Sequence, residues 1–413
     1  MILGRPKWLV LADSMLSAGL LWPFREYCAL YTRVILKVGD NLTSAPPGSV
    51  ANLTRWVSQR LVPEYAATGE RANGRQAMGL QESGSEVDDI RLIAGDASPR
   101  KYYRVRLNGA QKTNTVIAVE SPPTEKNEEF LRIRELLAAG GVRVPALIAA
   151  DIEQGYLLLE DLGDETLLPH LSDDNVSEWY TRGLVSLADL ARIDPAPASL
   201  EAYGAPKLMQ EMRLFTDWFV PRLLNLPMND ELEAAFSALA ELLIVNAQAQ
   251  PQVLVHRDFH SRNLMVLPDN ELAVIDFQDG VVGPVTYDVV SMLKDCYIRW
   301  PRDRQLDWLR QYQDLLENSG AMDPVPTPLF IRWFDLMGLQ RHIKVLGIFS
   351  RLAFRDSKPR YLLDLPRVLA YTREALDLYR SSDEEVATFR EVFEAQIVPA
   401  CQRADWFSLE ACS

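Results

Sequence analysis

Three polar side chains on two short segments carry groups that could do chemistry. Asp258 and Asn263 lie in His256-Arg-Asp-Phe-His-Ser-Arg-Asn263, and Asp276 ends the run Leu272-Ala-Val-Ile-Asp276. Phosphoryl transfer needs an oriented acceptor hydroxyl and neutralised phosphate charge, with little covalent help from the protein. Asp258 could accept or orient the hydroxyl proton, while Asn263 and Asp276 could supply oxygen ligands to Mg²⁺. The spacing therefore predicts phosphoryl transfer from ATP.

The alternative for these segments is a pair of polar loops between strands, because Asp and Asn are common turn-forming residues. Any one of the three residues alone would fit that alternative. The segments are ordered, however: Val253-Leu-Val255 precedes the first, and Ala273-Val-Ile275 precedes the second carboxylate. Short apolar runs of this kind are consistent with buried strands. The complete set favours a phosphoryl-transfer site.

The elements that must position these residues fall into two groups. In the first part of the chain, helices are predicted at residues 52–61 and 127–139, and strands at 90–93, 102–107, 115–119, 146–150 and 156–160. A polar stretch, 66–89, is predicted to be a loop. From residue 176 onward, on both sides of the catalytic segments, helical periodicity predicts helices at 176–192, 230–248, 304–317, 329–354, 361–380 and 383–395. The predicted fold class is α+β, with a small sheet lobe followed by a mainly helical lobe.

A candidate phosphate loop lies between two predicted strands, where backbone N–H groups can face phosphate oxygens. Its residues are Gly95, Asp96, Ala97 and Ser98. Arg100 and Lys101 follow closely and could add positive charge. Because the segment has a single glycine, it also fits an ordinary hairpin turn. The phosphate-binding interpretation therefore depends on Asp258 downstream.

The catalytic segment resembles the Brenner-type motif of aminoglycoside phosphotransferases, a small-molecule branch of the protein-kinase-like fold. The resemblance implies two lobes, with a small antiparallel sheet in the amino-terminal lobe and helices in the carboxy-terminal lobe. It also implies that His256 braces the catalytic loop and that Ile275-Asp-Phe-Gln278 is the metal-binding motif. Gln278 stands where protein kinases carry Gly, which favours a small-molecule acceptor.

Two other segments bear on this resemblance. Leu157-Leu-Leu-Glu-Asp-Leu-Gly163 resembles the hinge that joins the lobes, where the backbone of Glu160 and Leu162 would meet the adenine of ATP. The third strand departs from the family pattern, because Val116-Ile-Ala-Val-Glu-Ser121 lacks the Lys that usually holds the α- and β-phosphates. Either a basic residue after the phosphate loop replaces that Lys, or Mg²⁺ handles most of the phosphate charge.

The order of the motifs narrows the resemblance to the bacterial anomeric kinases of N-acetylmuramate and N-acetylglucosamine. It rests also on Tyr102-Tyr-Arg-Val105 and Leu339-Gln-Arg-His-Ile-Lys-Val-Leu-Gly-Ile-Phe-Ser-Arg351. The resemblance implies transfer of the ATP γ-phosphate to the anomeric hydroxyl of an amino sugar, giving a sugar 1-phosphate in cell-wall recycling. The candidate substrate contacts are His260, Gln278, Asp279, Arg341, His342 and Arg351.

Several alternatives stay open at the level of sequence. A basic face formed by Gln340, Lys344, Arg351 and Arg355 could meet the carboxylate of a lactyl group, or it could be a solvated or ion-paired helix face. Other acceptors on the same fold are an aminoglycoside, choline or homoserine. A catalytically inactive, kinase-shaped binding module is a further alternative. The missing strand Lys favours that module, and the intact catalytic and metal-binding residues oppose it.

Composition and net charge limit the classes of protein to which the chain could belong. The chain has 413 residues, 48% of them hydrophobic, which is enough for two lobes. A net charge of -14 argues against nucleic acid or an anionic membrane surface as a partner. The four cysteines are scattered along the chain, which predicts reduced thiols in a cytoplasm. No feature indicates an obligate protein partner.

The predicted domains are a poorly ordered extension at residues 1–48, an amino-terminal lobe at 49–163, a helical lobe at 164–400 and a tail at 401–413. The extension contains apolar runs at 8–12 and 15–22 that weakly resemble a signal peptide. Asp13 interrupts these runs, and no clean small-residue cleavage site follows them. The runs are also too short and too broken to span a bilayer.

Overall fold

The computed structural model describes residues 47–61, 87–93, 99–108, 115–122 and 125–407, with side chains from residue 50 onward. The chain divides into two compact units. The first contains the described residues up to Glu125 together with Leu147–Glu160, and the second contains Lys126–Ala146 and the chain from Asp161 onward. The predicted phosphate loop, Gly95 to Ser98, lies outside the described residues, and so does most of the predicted extension.

The first unit is an antiparallel sheet with one helix packed on it. The helix is α1 (Pro47–Leu61), and the strands are β1 (Val87–Ile93), β2 (Lys101–Leu107), β3 (Thr115–Glu120), β4 (Leu147–Asp151) and β5 (Tyr156–Glu160). Their order across the sheet is β1-β2-β3-β5-β4, and every neighbouring pair is antiparallel. The small antiparallel sheet that the resemblance implied is therefore present.

Side chains alternate between the two faces of the sheet along each strand, and the apolar ones mark the face that is buried. Tyr103, Val105 and Leu107 are buried on β2, and they pack with Val116 and Ala118 of β3. Helix α1 covers these residues with Leu53, Trp56, Val57 and Leu61, which share one helical face. Strand β1 begins at residue 87, so the predicted loop at 66–89 extended too far. The start of this strand was not predicted because Asp88 and Asp89 are polar. In the structure both residues pair with Arg106 on the adjacent strand.

The second unit is mainly helical. Its helices are α2 (Asn127–Ala139), α3 (Val176–Ala191), α4 (Ala205–Leu214), α5 (Asp230–Gln248), α6 (Tyr287–Leu293), α7 (Arg302–Ser319), α8 (Thr327–Arg355), α9 (Leu365–Tyr379), α10 (Glu384–Val392) and α11 (Val398–Gln402). Wider π-helical turns follow α4 at Phe215–Leu223 and α10 at Phe393–Ile397, and short 3₁₀ helices lie at Leu168–His170, Ala196–Ala198 and Pro359–Asp364. The α+β fold class is confirmed.

Helix α8 is the centre of this unit, and α4, α5, α6 and α9 pack around it. The sequence did not predict α4 or α6. All seven residues of α6 are buried, so this helix has no polar face and no amphipathic period to detect. Helix α4 is short, begins with Ala205-Pro206 and runs into a π-helical segment that contains Pro221.

Two short antiparallel ribbons hold the segments with chemical potential. Strand β6 (Gln252–Val255) pairs with β9 (Val281–Pro284), and β7 (Leu264–Val266) pairs with β8 (Leu272–Val274). The segment 256–263, called the catalytic loop below, connects β6 to β7. The segment 275–280, called the metal loop, connects β8 to β9. Within the described residues, no helix has the length and apolar character needed to cross a membrane.

Candidate active site

Asp288, in the first turn of α6, holds the start of the catalytic loop. Its two carboxylate oxygens accept hydrogen bonds from the backbone N–H groups of His256 at 2.6 Å and Arg257 at 2.9 Å. Arg257 has a left-handed backbone with φ +77°, a conformation that costs a non-glycine residue roughly 1–3 kcal/mol. Burial raises the pKa of Asp288, and the hydrogen bonds from the two N–H groups oppose that effect. Asp288 is thus a buried support that maintains the strained turn.

A single residue, Ile275, ties the two loops together. The imidazole Nε2 of His256 donates to the Ile275 carbonyl at 3.0 Å, and His256 Nδ1 accepts from the backbone N–H of Asp258 at 3.2 Å. The backbone N–H of Ile275 donates to the Asn263 carbonyl at 3.0 Å. The residue before Asp276 is therefore fixed to both ends of the catalytic loop, and the three predicted residues Asp258, Asn263 and Asp276 belong to one arrangement.

The side chains of Asn263 and Asp276 are arranged so that each retains an oxygen for a cation. Asn263 donates from Nδ2 to the Asp258 carbonyl at 3.0 Å, which leaves its amide oxygen as the atom that can face a metal ion. Asp276 is exposed, has a left-handed backbone with φ +65°, and accepts from Gln278 Nε2 through Oδ1 at 2.7 Å. In the described part of the chain, no group of three or more His, Cys, Asp or Glu residues could hold a metal. Mg²⁺ bound with a nucleotide needs only one or two protein ligands, so the residues fit it.

Asp258 faces positive charge. Its Oδ1 lies 3.7 Å from Nη2 of Arg341, while 47% of its side-chain surface stays exposed. The surrounding protein by itself would raise the pKa of Asp258. The charges of Arg341 and Lys344, with smaller contributions from His260 and Arg257, outweigh that effect and hold the pKa well below its usual range. Asp258 is therefore an anion at any pH at which the protein would work.

A buried network of charges lies behind the catalytic loop. Arg341 donates from Nη1 to the Arg257 carbonyl at 2.8 Å and to the Tyr287 hydroxyl at 3.3 Å. Lys344 donates to the same hydroxyl at 2.9 Å and pairs with Glu211 at 2.9 Å, and Arg257 also pairs with Glu211. Burial by itself would raise the pKa of Glu211, but Lys344 and Arg257 hold it below its usual value. The network fixes the backbone of Arg257 from the side opposite Asp288.

The sequence did not predict Glu211, Tyr287 or Asp288 as parts of the site. Glu211 lies on a helix that the sequence analysis missed. Tyr287 and Asp288 begin a helix whose residues are all buried. The available signal was the single acidic residue in the mainly apolar segment 285–293, where a buried carboxylate needs hydrogen-bond partners.

The structure places three of the candidate substrate contacts beside the catalytic and metal loops. The ring of His260 stands edge-on to Tyr297 at 5.4 Å, and burial lowers its pKa. Burial raises the pKa of Asp279, and the negative charges of Asp258 and Asp276 raise it further, although Arg257 opposes them. Gln278 contacts Asp276 directly.

The other three candidate contacts lie on the central helix α8. Arg341 is buried against Asp258, as described above. His342 is 1% exposed; its Nε2 bonds the Lys294 carbonyl at 3.1 Å, and its ring stacks on Tyr371 at 4.8 Å. Arg351 is half-buried, and burial lowers its pKa. Because helices surround α8, most of its polar positions face protein and not solvent.

Arg100 and Lys101 have partners within the first unit. Arg100 is buried and donates to Ser121 Oγ at 2.9 Å and to the Glu125 carbonyl at 2.5 Å. Lys101 pairs across the sheet with Glu120, with Nζ 3.3 Å from Oε2. The described part of β3, as the sequence indicated, has no Lys among its residues.

The segment predicted to be the hinge spans the boundary between the units. Glu160 is the last residue of β5 and lies opposite Val116 on β3. Leu162 packs in the second unit against a small apolar cluster formed by Met265, Leu267 and Ala273.

Several known proteins are similar to this chain in sequence. The sequence pattern of the phosphotransferase enzyme family matches residues 89–326. An N-acetylmuramate/N-acetylglucosamine kinase from Pseudomonas putida is 41% identical over 288 residues, which are 70% of this chain and 83% of that one. Kinases of the same name from Pseudomonas aeruginosa and Neisseria meningitidis are 40% and 33% identical, and the matches cover 72% and 70% of this chain and 87% and 86% of theirs.

Solved structures agree on the fold. An ethanolamine kinase from Plasmodium vivax has a TM-score of 0.52 at 13% identity, covering 71% of this chain and 84% of that one. A choline kinase from Cryptosporidium parvum has a TM-score of 0.50 at 11% identity, covering 78% and 96%. The chain belongs to the phosphotransferase enzyme family and, within it, to the group of its N-acetylmuramate/N-acetylglucosamine kinase relatives. The resemblance found in the sequence is confirmed.

Proposed function

We propose that this chain transfers the γ-phosphoryl group of ATP to the anomeric hydroxyl of N-acetylmuramate and N-acetylglucosamine. The product would be a sugar 1-phosphate, used in cytoplasmic recycling of the cell wall. The reaction class is supported by one observation above all, the attachment of Ile275 to both ends of the catalytic loop, which fixes Asp258, Asn263 and Asp276 together. The acceptor is supported by the relatives, which are N-acetylmuramate/N-acetylglucosamine kinases.

Asp258 orients the acceptor hydroxyl in this proposal. A general base works best when its pKa is near the operating pH, and the cations around Asp258 hold its pKa far lower. Its main contribution is therefore to accept a hydrogen bond from the hydroxyl and align the oxygen with the phosphorus. The hydroxyl proton passes to Asp258 only once the bond to phosphorus has formed and made that oxygen acidic, as expected for a loose transition state, and ADP leaves with the electron pair of the broken P–O bond.

Asn263 and Asp276 would hold Mg²⁺ through the amide oxygen and a carboxylate oxygen. The ion would neutralise charge on the β- and γ-phosphates of ATP. Gln278 donates to one oxygen of Asp276 and thereby fixes the direction in which the other oxygen points. The charge supplied by this pair of ligands is a single negative charge, which leaves the ion strongly positive toward the nucleotide.

The partners of Arg100 and Lys101 bear on the missing strand Lys. Both cations already interact with groups of the first unit. These contacts favour the second of the two alternatives, in which Mg²⁺ neutralises most of the phosphate charge. Backbone N–H groups of Gly95, Asp96, Ala97 and Ser98 would complete the phosphate contacts.

The proposal is tested with the purified full chain, ATP and Mg²⁺. N-acetylmuramate, N-acetylglucosamine, an aminoglycoside, choline and homoserine are offered separately, and products are measured by mass and phosphorus NMR. We expect sugar 1-phosphate from the two amino sugars. Product from another acceptor alone would contradict the assignment.

The variant Asp258→Asn tests the role proposed for Asp258 toward the acceptor hydroxyl. We expect kcat to fall by about 10²- to 10⁴-fold, because a neutral amide accepts a weaker hydrogen bond from the hydroxyl than a carboxylate does and cannot take up its proton. Asp269→Asn is the matched control, since Asp269 is an exposed carboxylate in the turn between β7 and β8. Activity of Asp258→Asn within a few-fold of the control would show that Asp258 has another role.

A further inference from the structure

Arg262 is a cation of the catalytic loop that stacks on a ring and, among the described residues, has no carboxylate within ion-pair distance. Its guanidinium carbon lies 3.5 Å from the centre of the Tyr297 ring, and its side chain is exposed. Within the described residues, Arg262 forms no ion pair and donates no hydrogen bond. Stacking on an aromatic face holds a guanidinium in place and leaves its N–H groups available at the edge.

The backbone on both sides of Arg262 is anchored. Ser261 donates to Asp295 from its backbone N–H at 3.0 Å and from its hydroxyl at 2.5 Å. Asn263 is attached to the Asp258 carbonyl, as described above. The residue between these anchors has a fixed position, and the Tyr297 ring fixes its side chain as well. A preorganised cation of this kind loses little entropy when it binds an anion.

Arg262 lies close to the place where an acceptor would react. His260 connects the two: its ring contacts the edge of Tyr297 at 5.4 Å, and its pKa responds to the charge of Asp258. Asp258, His260, Tyr297 and Arg262 therefore follow one another along one side of the loop. We take this side of the loop as the one along which the sugar ring lies when its anomeric hydroxyl meets Asp258.

The other cations near Asp258 are already engaged. Arg257 and Lys344 pair with Glu211, and Arg341 faces Asp258; Arg341 and Lys344 are buried. A chain of net charge -14 repels an anionic substrate over long range, so such a substrate needs a local cation.

Acidic groups near Arg262 do not remove its charge. The charge of Arg262 lowers the pKa of Asp364, which burial raises, so the two are neighbours. Asp364 forms its ion pair with Arg367, with Nη1 3.4 Å from Oδ1, although the charge of Arg262 lowers the pKa of Asp364 more than that of Arg367 does. The guanidinium of Arg262 therefore keeps an edge for a ligand.

We propose that Arg262 receives the carboxylate of the lactyl ether, which N-acetylmuramate carries and N-acetylglucosamine lacks. This inference rests on the proposed function and goes beyond it, because it names the residue that distinguishes the two acceptors. Arg262 is a specificity-determining residue. Arg341 and Lys344, on the helix whose basic face first suggested such a contact, support the loop from behind.

The test compares the two sugars in steady-state kinetics for the wild type and for Arg262→Gln and Arg262→Lys. For Arg262→Gln we expect kcat/KM to fall about 10- to 100-fold for N-acetylmuramate, the loss typical of a charged hydrogen bond. For N-acetylglucosamine it should change by less than about threefold, since that sugar has no group for the cation. Arg262→Lys should be intermediate, because Lys keeps the charge but not the planar pair of donors.

Arg182→Gln is the matched control, because Arg182 also stacks on a ring, that of Trp179 at 5.6 Å, but lies on α3. It should leave both sugars unaffected. Equal losses for both sugars in Arg262→Gln would overturn the inference and assign Arg262 to loop structure, and no loss for either would place the carboxylate elsewhere. A wild-type enzyme that phosphorylates neither sugar would instead overturn the proposed function, and the inference with it.

Discussion

Asp258 and Asp276 carry the same group in opposite surroundings, and this difference supports the two different roles proposed for them. Arg341 lies 3.7 Å from Asp258 and makes it an anion without any metal. Asp276 is exposed, and its hydrogen-bond partner is the neutral amide of Gln278. A carboxylate with a neutral partner retains its full charge for a cation, whereas one that faces fixed cations is suited to orient a neutral hydroxyl.

At the same scale, Asp288 supports the loop without touching the reacting groups. Its two oxygens each accept one backbone N–H, and an amide offers a single oxygen acceptor. In Asp288→Asn, one buried N–H therefore loses its partner and faces the NH₂ group. We expect the free energy of unfolding to fall by about 1–3 kcal/mol and kcat to fall in the fraction that folds, with KM little changed. Urea denaturation and steady-state kinetics measure the two effects.

The control for Asp288→Asn is Asp303→Asn. Asp303 also lies in the first turn of a helix, α7, but is exposed and accepts only from the neighbouring Arg304 N–H. This variant should keep both its stability and its kcat. If the two variants behaved alike, the support assigned to Asp288 would be wrong.

At the scale of elements, α8 decides how closely the second unit packs. The helix has 29 residues, and helices α4, α5, α6 and α9 contact it. At Gly347 the close approach is to the end of α4, where an added Cβ would lie 2.2 Å from the backbone carbon of Leu214. No side chain larger than hydrogen fits there unless one of the helices moves.

We therefore expect Gly347→Ala to destabilise the protein by about 1–3 kcal/mol through overpacking, although alanine is the better helix former by roughly 1 kcal/mol. Gly183→Ala is the comparison, because its Cβ would meet only the flexible end of Met292, with Sδ at 2.6 Å. Thermal and urea denaturation should rank Gly347→Ala as the less stable variant. The reverse order would mean that α4 and α8 can separate at little cost.

At the scale of the whole molecule, stability depends on a histidine far from solvent. Burial, assisted by the charge of Lys294, lowers the pKa of His342 to about 3, compared with an ordinary value of 6.5. The unfolded chain binds this proton near pH 6.5, and the folded protein does not. The stability tied to the neutral ring is therefore present above pH 6.5 and is lost as the pH falls toward 3, by at most about 1.4 kcal/mol per pH unit.

Urea denaturation between pH 7 and pH 5 measures this dependence. In His342→Gln the free energy of unfolding should change less with pH than in the wild type, even if the variant is less stable overall. His170→Gln is the control, because His170 lies at the surface beside Glu165. It should keep the wild-type slope. Identical slopes in all three proteins would contradict the buried neutral state of His342.

From the sequence alone, the sheet, most of the long helices and the candidate residues Asp258, Asn263 and Asp276 could be predicted. These features are local. Alternation along β2 and β3 and helical spacing in α5 each repeat within a few residues, so the pattern is visible in the chain. The catalytic and metal loops are also short, and their order after apolar strands indicated a phosphotransferase.

Only the tertiary structure decided which polar residues serve the site and in what way. Asp288 contacts His256 across 32 residues of sequence, and Arg341 contacts Arg257 across 84. No local sequence pattern predicts such contacts. The basic residues of α8 were predicted to contact a ligand or the solvent. In the structure, helices pack around α8, and Arg341 and Lys344 are buried. Arg262 stayed exposed because Tyr297 holds it at the surface. Burial depends on which residues the rest of the chain places around a side chain. The sequence therefore identified the charged residues but could not show which of them are buried and which are exposed.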